Sequence, residues 1–213
     1  FTMLRTGCRA FVAFAGGLDI PLVMGSRSTD MKAKIGGYQG RKLQKDDVIA
    51  FRAPKTDLKN LGVRHISPEF VPRAEYKLRV VLGPQDDAFT EKGLFDFKSA
   101  LYTVTQDSNR MAAKLSGAPI EAKAGVDILS DGIVEGSVQV SANGQPIVML
   151  ADHQSTGGYA KIATVIPCDI PALAQVRPGQ LVGFRVVSVE EGAEACRKEK
   201  EKWTYLKEAI DHD

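Results

Sequence analysis

The chain has 213 residues, 44% of them hydrophobic, with 28 basic side chains against 26 acidic ones. That length buries one or two ordinary cores. The near-even charge leaves no basic stripe for nucleic acid, the Lys-rich part being confined to the C-terminal tail. No apolar run approaches a membrane span; the longest, around residues 162–166, reads as a buried strand. Cys8, Cys168 and Cys196 are widely spaced, with no C-x-x-C and no paired His, which argues against a zinc site. A sparse, odd set of cysteines with no signal-peptide pattern at Phe1 favours a reducing cytoplasm.

In chain order, residues 9–15 (RAFVAFA) form a short β-type run ended by Gly16-Gly17. A chain opening this close to a core strand points to an upstream half-domain absent from the sequence. Residues 36–41 (GGYQGR) are glycine-dense, suited to positive φ and close backbone approach. Residues 43–51 read as a turn feeding a strand, and 54–75, rich in Pro, Lys, Arg and Asp, as a linker. From residue 76 the pattern becomes one of short strands: 76–82, 100–105, 137–140, 147–150, 159–166 and 181–189. A helix within 86–97 would close one end of a barrel, and one or two helical turns fit 169–174, with Pro171 near the start. Asn143-Gly144 signals a hairpin with a type I′ turn. Residues 189–210, dense in Ala, Glu and Lys, read as a terminal helix with a Glu194–Lys198 pair and a solvated charged face.

Many short strands with few helices predict an all-β chain, a closed barrel or a sandwich. Four regions follow: residues 1–53 as the remainder of an N-terminal β-domain, 54–75 as linker, 76–190 as the barrel and 191–213 as the helix.

Two polar clusters carry the chemistry. In 106–111 (QDSNRM), Asn109 offers an amide and Arg110 a bidentate fork for a carboxylate or phosphate. The alternative is a polar turn whose Asp and Asn bond local backbone. In 150–159 (LADHQSTGGY), an apolar strand runs into Asp152, His153, Gln154, Ser155 and Thr156, then Gly157-Gly158 and Tyr159. Such a glycine pair can turn N–H groups toward an anion as a nest, and Asp152 or His153 can serve as general base. A β-turn with satisfied local bonds is the alternative here too. Gln139 is a large amide between Val138 and Val140. On period 2 it is solvent-exposed if the valines face the core, and an inward donor if the strand lines a pocket. No G-x-S-x-G elbow supports a serine nucleophile, and no Walker pattern supports a P-loop.

Six strings, in order along nearly the whole chain, resemble the KipA-like, allophanate hydrolase subunit 2 family. They are AGGLDIP (15–21), MGSRSTD (24–30), GGYQGR (36–41), QDSNRM (106–111), GQPIV (144–148) and DHQSTGGY (152–159). The resemblance implies cyclophilin-like β-barrels related to the carboxyltransferase part of urea carboxylase. The stand-alone bacterial members are similar to one component of an ATP-dependent 5-oxoprolinase, its C subunit. That enzyme opens 5-oxoproline to glutamate, and its other components are KipI-like and LamB/YcsF-like subunits. This sequence departs from the family in lacking its N-terminal half-barrel. ATP is then a cofactor of the complex, not bound here through a P-loop, and no metal, nucleic acid or membrane is implied. The family's logic assigns catalysis to Asp152, Arg110 and Asn109. It gives substrate binding to Gln139, Gln154, Thr156, Gly157, Gly158 and Tyr159, all converging at one barrel mouth. Two rival readings stand beside it: a carboxyltransferase of a urea carboxylase or allophanate system, where biotin enters, and a regulatory protein that antagonises a KipI-like kinase inhibitor.

Overall fold

A computed structural model describes residues 7–55 and 77–211, which fall into two compact units: residues 10–55, and residues 7–9 with 77–211. The predicted linker lies, from residue 56 on, outside the described residues.

In the smaller unit the backbone is mostly turns. β1 (Thr29–Asp30) and β2 (Ile35–Gly36) pair antiparallel, and Leu18 bridges Phe51. The glycine-dense segment behaves as expected: Gly36, Gly37 and Gly40 all have positive φ. A Cβ at Gly37 would sit 1.8 Å from Thr29 Oγ1, so no larger residue fits. Arg41 closes the segment with a two-pronged bond to Asp47, whose carboxyl it holds down at about 2. The strand expected over residues 9–15 does not form, because no described segment offers it a ladder; Phe11 is 97% exposed. The strand expected after the 43–51 turn shrinks to the single bridge at Phe51.

The larger unit is a closed seven-stranded barrel of β3 (Lys77–Leu82), β4 (Leu101–Val104), β5 (Ala112–Ser116), β7 (Ser137–Val140), β8 (Pro146–Met149), β10 (Lys161–Val165) and β11 (Leu181–Val186). Around the barrel the order is β10-β3-β11-β4-β5-β8-β7. All neighbours are antiparallel except β11 and β3. Alternate residues fill the interior: Leu78, Val80, Val104, Leu115, Val138, Val140, Val148, Ile162, Val182 and Phe184 are all buried in one cluster. Helix α1 (Glu91–Ser99) is capped by Thr90, whose Oγ1 accepts from Gly93 N–H, and drives Phe97 into that core, stacked on Phe184 at 4.5 Å. The strand expected over 159–166 forms as β10, with Tyr159 at its front belonging instead to a separate strand. β9 (Thr156–Tyr159) pairs with β6 (Asp127–Gly132) as a separate ribbon, and the chain then turns into β10.

The β7–β8 hairpin forms, with a different turn. Gly144 N–H bonds to the Ser141 carbonyl, and only Gly144 (φ 76°), not Asn143, has positive φ, whereas type I′ needs both. Ser141 Oγ and the Asn143 side chain hold each other instead.

A short helix α2 (Ile170–Leu173) follows the Pro167–Asp169 turn, and residues 7–9 dock beside it through bonds to Gln175 and Arg177. Helix α3 (Val189–Asp211) starts with a reciprocal cap between Ser188 and Glu191. Gly192 lets it approach the barrel, since a Cβ there would sit 3.0 Å from Ile166. Its charged face is solvated, with the Glu194–Lys198 pair present at 3.4 Å. Although distant in sequence, Cys168 and Cys196 meet where α3 crosses the Pro167–Asp169 turn. Burial, and then its bond to Cys196, push the Cys168 thiol up to about 12. Among the described residues no helix is long and apolar enough to cross a membrane.

Candidate functional site

β4 ends at Val104, β5 begins at Ala112, and β8 ends at Met149, directly opposite Ala112. Both predicted polar clusters therefore leave the same end of the barrel, away from α1, which precedes β4. Backbone bonds extend the β5–β8 pairing into them: Leu150 N–H donates to the Met111 carbonyl and Asp152 N–H to the Arg110 carbonyl, at 2.9 and 3.0 Å.

The side chains complete the link. Arg110 Nε donates to Asp152 Oδ2 at 2.6 Å and Nη2 to Oδ1 at 3.0 Å, a parallel two-bond fork. The fork holds the Asp152 carboxyl below the usual range and raises the Arg110 guanidinium. Asp152 is thus an anion that accepts hydrogen bonds at neutral pH, and Arg110 keeps further N–H groups beyond the two in the fork. Both side chains are exposed, at 72% for Arg110 and 47% for Asp152, so the pair is open to a ligand. Asn109 lies beside it, its Oδ1 accepting from Met111 N–H in a local turn; its amide nitrogen is the part left for a substrate. His153 Nδ1 is bonded to the Gln154 carbonyl, while Gln154 and Thr156 are exposed on the same rim.

The other predicted residues sit elsewhere. Val138 and Val140 face the core, yet Gln139 is neither exposed nor inward. It is 2% exposed on the outer wall of the barrel, covered by the β6–β9 ribbon, and its amide donates to the Tyr159 carbonyl at 3.1 Å. Gly157 and Gly158 lie in β9 with φ outside the left-handed region, so the expected anion nest is not formed. Gly157 is there for contact: a Cβ on it would lie 2.5 Å from Ile133 Cδ1 and 2.9 Å from Gln139 Nε2. Gly158 faces a bulge. The pairs Asp127↔Tyr159 and Asp131↔Gly157 leave three β6 residues opposite this one glycine.

One charged group went unread in the sequence. Lys161, at the start of β10, is 3% exposed, and its Nζ donates to Asp131 Oδ2 at 2.5 Å and to the Gly132 carbonyl at 3.0 Å. No sequence signal marks it, because a Lys heading an apolar strand has the pattern of a solvated flank. Among the described residues no three His, Cys, Asp or Glu side chains are placed to hold a metal.

Comparison with known proteins fits this architecture. The chain is 36% identical over 198 residues to the 5-oxoprolinase C subunit of Escherichia coli, covering 92% of this chain and 62% of that protein. It is 34% identical over 207 residues to the C subunit of the Haemophilus influenzae 5-oxoprolinase, covering 97% and 65%. It therefore spans somewhat under two thirds of the length of these curated relatives. The crystal structure of K. lactis urea amidolyase superposes with a TM-score of 0.75 at 25% identity, over 93% of this chain and 13% of that one. Residues 1–186, holding the whole barrel with both rim clusters, match the carboxyltransferase domain, subdomain A and B. By sequence and by fold, the chain belongs to that carboxyltransferase domain family.

Proposed function

We propose that this chain is the greater part of a 5-oxoprolinase C subunit, acting in an ATP-dependent complex with KipI-like and LamB/YcsF-like subunits. The observation that carries the reading is the level of identity to two named 5-oxoprolinase C subunits, over more than nine tenths of this chain. The geometry supports it. A cyclic amide bearing a carboxylate needs a cation for the carboxylate and an anion to accept from the ring N–H or from attacking water. The rim presents both in the Arg110–Asp152 pair, with Asn109, Gln154 and Thr156 beside them. ATP supplies activation of the amide carbonyl at the level of the complex. One water then adds at the activated carbon as the ring C–N bond breaks, and a second releases the phosphoryl group, giving glutamate, ADP and phosphate.

Within this chain, Arg110 orients the substrate carboxylate, and Asp152, held ionised by Arg110, accepts the proton-bearing partner. Gln139, Gly157, Gly158 and Tyr159 shape the wall behind the rim. Likeness to urea amidolyase favours one second reading, a carboxyltransferase that receives a biotin-carried carboxyl group.

The test mixes the full-length parent chain with its two partner proteins and follows ATP hydrolysis with and without 5-oxoproline. Stimulation by 5-oxoproline, glutamate release and loss of both on omitting this chain support the reading. Arg110→Ala and Asp152→Asn should each remove turnover while leaving the complex assembled. A stable complex without 5-oxoproline-dependent turnover sinks the reading and directs attention to urea and biotin-linked carboxyl transfer.

A further inference from the structure

A lysine is almost never fully buried unless it is paired, because removing the ammonium from water is costly. Lys161 is buried, and its partners are specific. Asp131 and the Gly132 carbonyl both belong to β6, whose side chain at Asp131 is itself 54% exposed. The backbone N–H of Lys161 is fixed in turn by Gln85 Oε1 at 3.0 Å. The ammonium therefore reaches outward from the barrel wall to grip the ribbon.

What it grips leads to the rim. Asp131 pairs with Gly157 and Gly132 with Thr156, and Ile133 N–H donates to the Ser155 carbonyl at 2.9 Å. Residues 131–133 thus hold 155–157, a stretch that begins just beyond Asp152. The ribbon's own ladder is weak at this point, interrupted by the three-residue bulge opposite Gly158. The loop carrying Asp152 is tethered upstream by β8 and downstream by this pinned segment.

We propose that Lys161 is a positioning residue of the rim site: through Asp131 and the Gly132 carbonyl it pins β6, and so sets where the 152–157 segment presents Asp152 to Arg110 and the substrate. The proposal rests on the 5-oxoprolinase reading. A residue acting this way contacts no substrate, and its removal loosens binding without dismantling the barrel.

The experiment compares Lys161→Met, Lys161→Arg and Asp131→Asn in the full-length parent chain. It measures amide hydrogen exchange by mass spectrometry, and steady-state 5-oxoproline turnover in the reconstituted complex. Lys161→Met should speed exchange across 152–159 and 127–133 while leaving 137–149 protected. It should also raise KM for 5-oxoproline at least tenfold, with kcat within about threefold. Lys161→Arg, which keeps the charge but not the shape of the ammonium, should recover part of both readouts and move them less than Lys161→Met. Asp131→Asn, made on a half-exposed residue, should move both in the same direction by less, and it decides the matter if Lys161→Met does not fold. Unchanged exchange at 152–159 in an active complex overturns the pin, and faster exchange with unaltered KM overturns its role in the site. An unaltered complex without 5-oxoproline turnover defeats the functional reading instead, and the exchange pattern tells the two failures apart.

Discussion

Gly157 offers the sharpest test of how the ribbon packs on the barrel. Gly157→Ala adds one methyl group 2.5 Å from Ile133 Cδ1 and 2.9 Å from Gln139 Nε2, where carbon atoms rest at about 3.5–4.0 Å. Both contacts are side-chain ends, and each is held by its surroundings. Ile133 is 6% exposed in a small cluster with Ala112 and Met149, and Gln139 is tied by its amide to Tyr159. Overpacking of this kind costs about 1–3 kcal/mol. The φ at Gly157 suits alanine, so roughly 0.4–1 kcal/mol returns through a less flexible unfolded chain. Taken at the middle of each range, the net loss should be roughly 1.3 kcal/mol, lowering Tm by about 3–5 °C.

Ile133→Val deletes the very carbon that clashes. Alone it should cost about 0.5–1.5 kcal/mol. Together with Gly157→Ala the losses should fall short of their sum by about 1 kcal/mol, because the two sites share one space. Urea denaturation followed by far-UV circular dichroism measures all four corners of the cycle. A Gly157→Ala variant within about 0.5 kcal/mol of the parent, or strict additivity of the pair, would refute the packing argument.

Three further outcomes are expected. The Tyr102 hydroxyl is buried with no hydrogen-bond partner among the described residues, and burial pushes it up to about 12. Tyr102→Phe should therefore be neutral or stabilising, and a loss above about 1 kcal/mol in the same denaturation assay would count against it. Lys161 and Arg110 depress the Asp131 and Asp152 carboxyls below their unfolded value of about 3.9. Their contribution is present above that pH and lost as pH falls through the lower folded values, so acid titration should show stability declining below about pH 4, less steeply in Asp131→Asn. Iodoacetamide at pH 8 should alkylate the exposed Cys8 well before Cys168, whose thiol is pushed up to about 12. Equal rates by peptide mass mapping would contradict the burial of Cys168.

The barrel was legible wherever β-branched residues alternate or cluster, as in β3, β7, β8, β10 and β11. β5 (AAKLS) and β6 (DILSDG) were missed for a physical reason. β5 places Ala112, Ala113 and Leu115 against neighbours already committed to the sheet, so its strand character comes from context and not from intrinsic preference. β6 is mostly exposed and, among the described residues, paired only to β9. In the other direction, residues 9–15 carry strand-like composition with no described partner strand, and composition alone builds no ladder.

The site shows the same division between local and non-local information. Arg110 and Asp152 could be named from two strand-end clusters, and β5–β8 register brings them together. That they would bind each other depends on that register, which neither cluster encodes. For Gln139 the period-2 argument placed the valines correctly and still gave the wrong surroundings, since it allowed for one sheet surface and the chain lays a second layer over it. Lys161 follows from that same layer. On a bare barrel its ammonium would stand in water, and only the β6–β9 ribbon, with Asp131 at its rim end, turns it into a buried anchor. The residues that contact substrate in the proposed reaction are thus readable from strand ends, whereas those that hold them in place are set by which segment covers which wall.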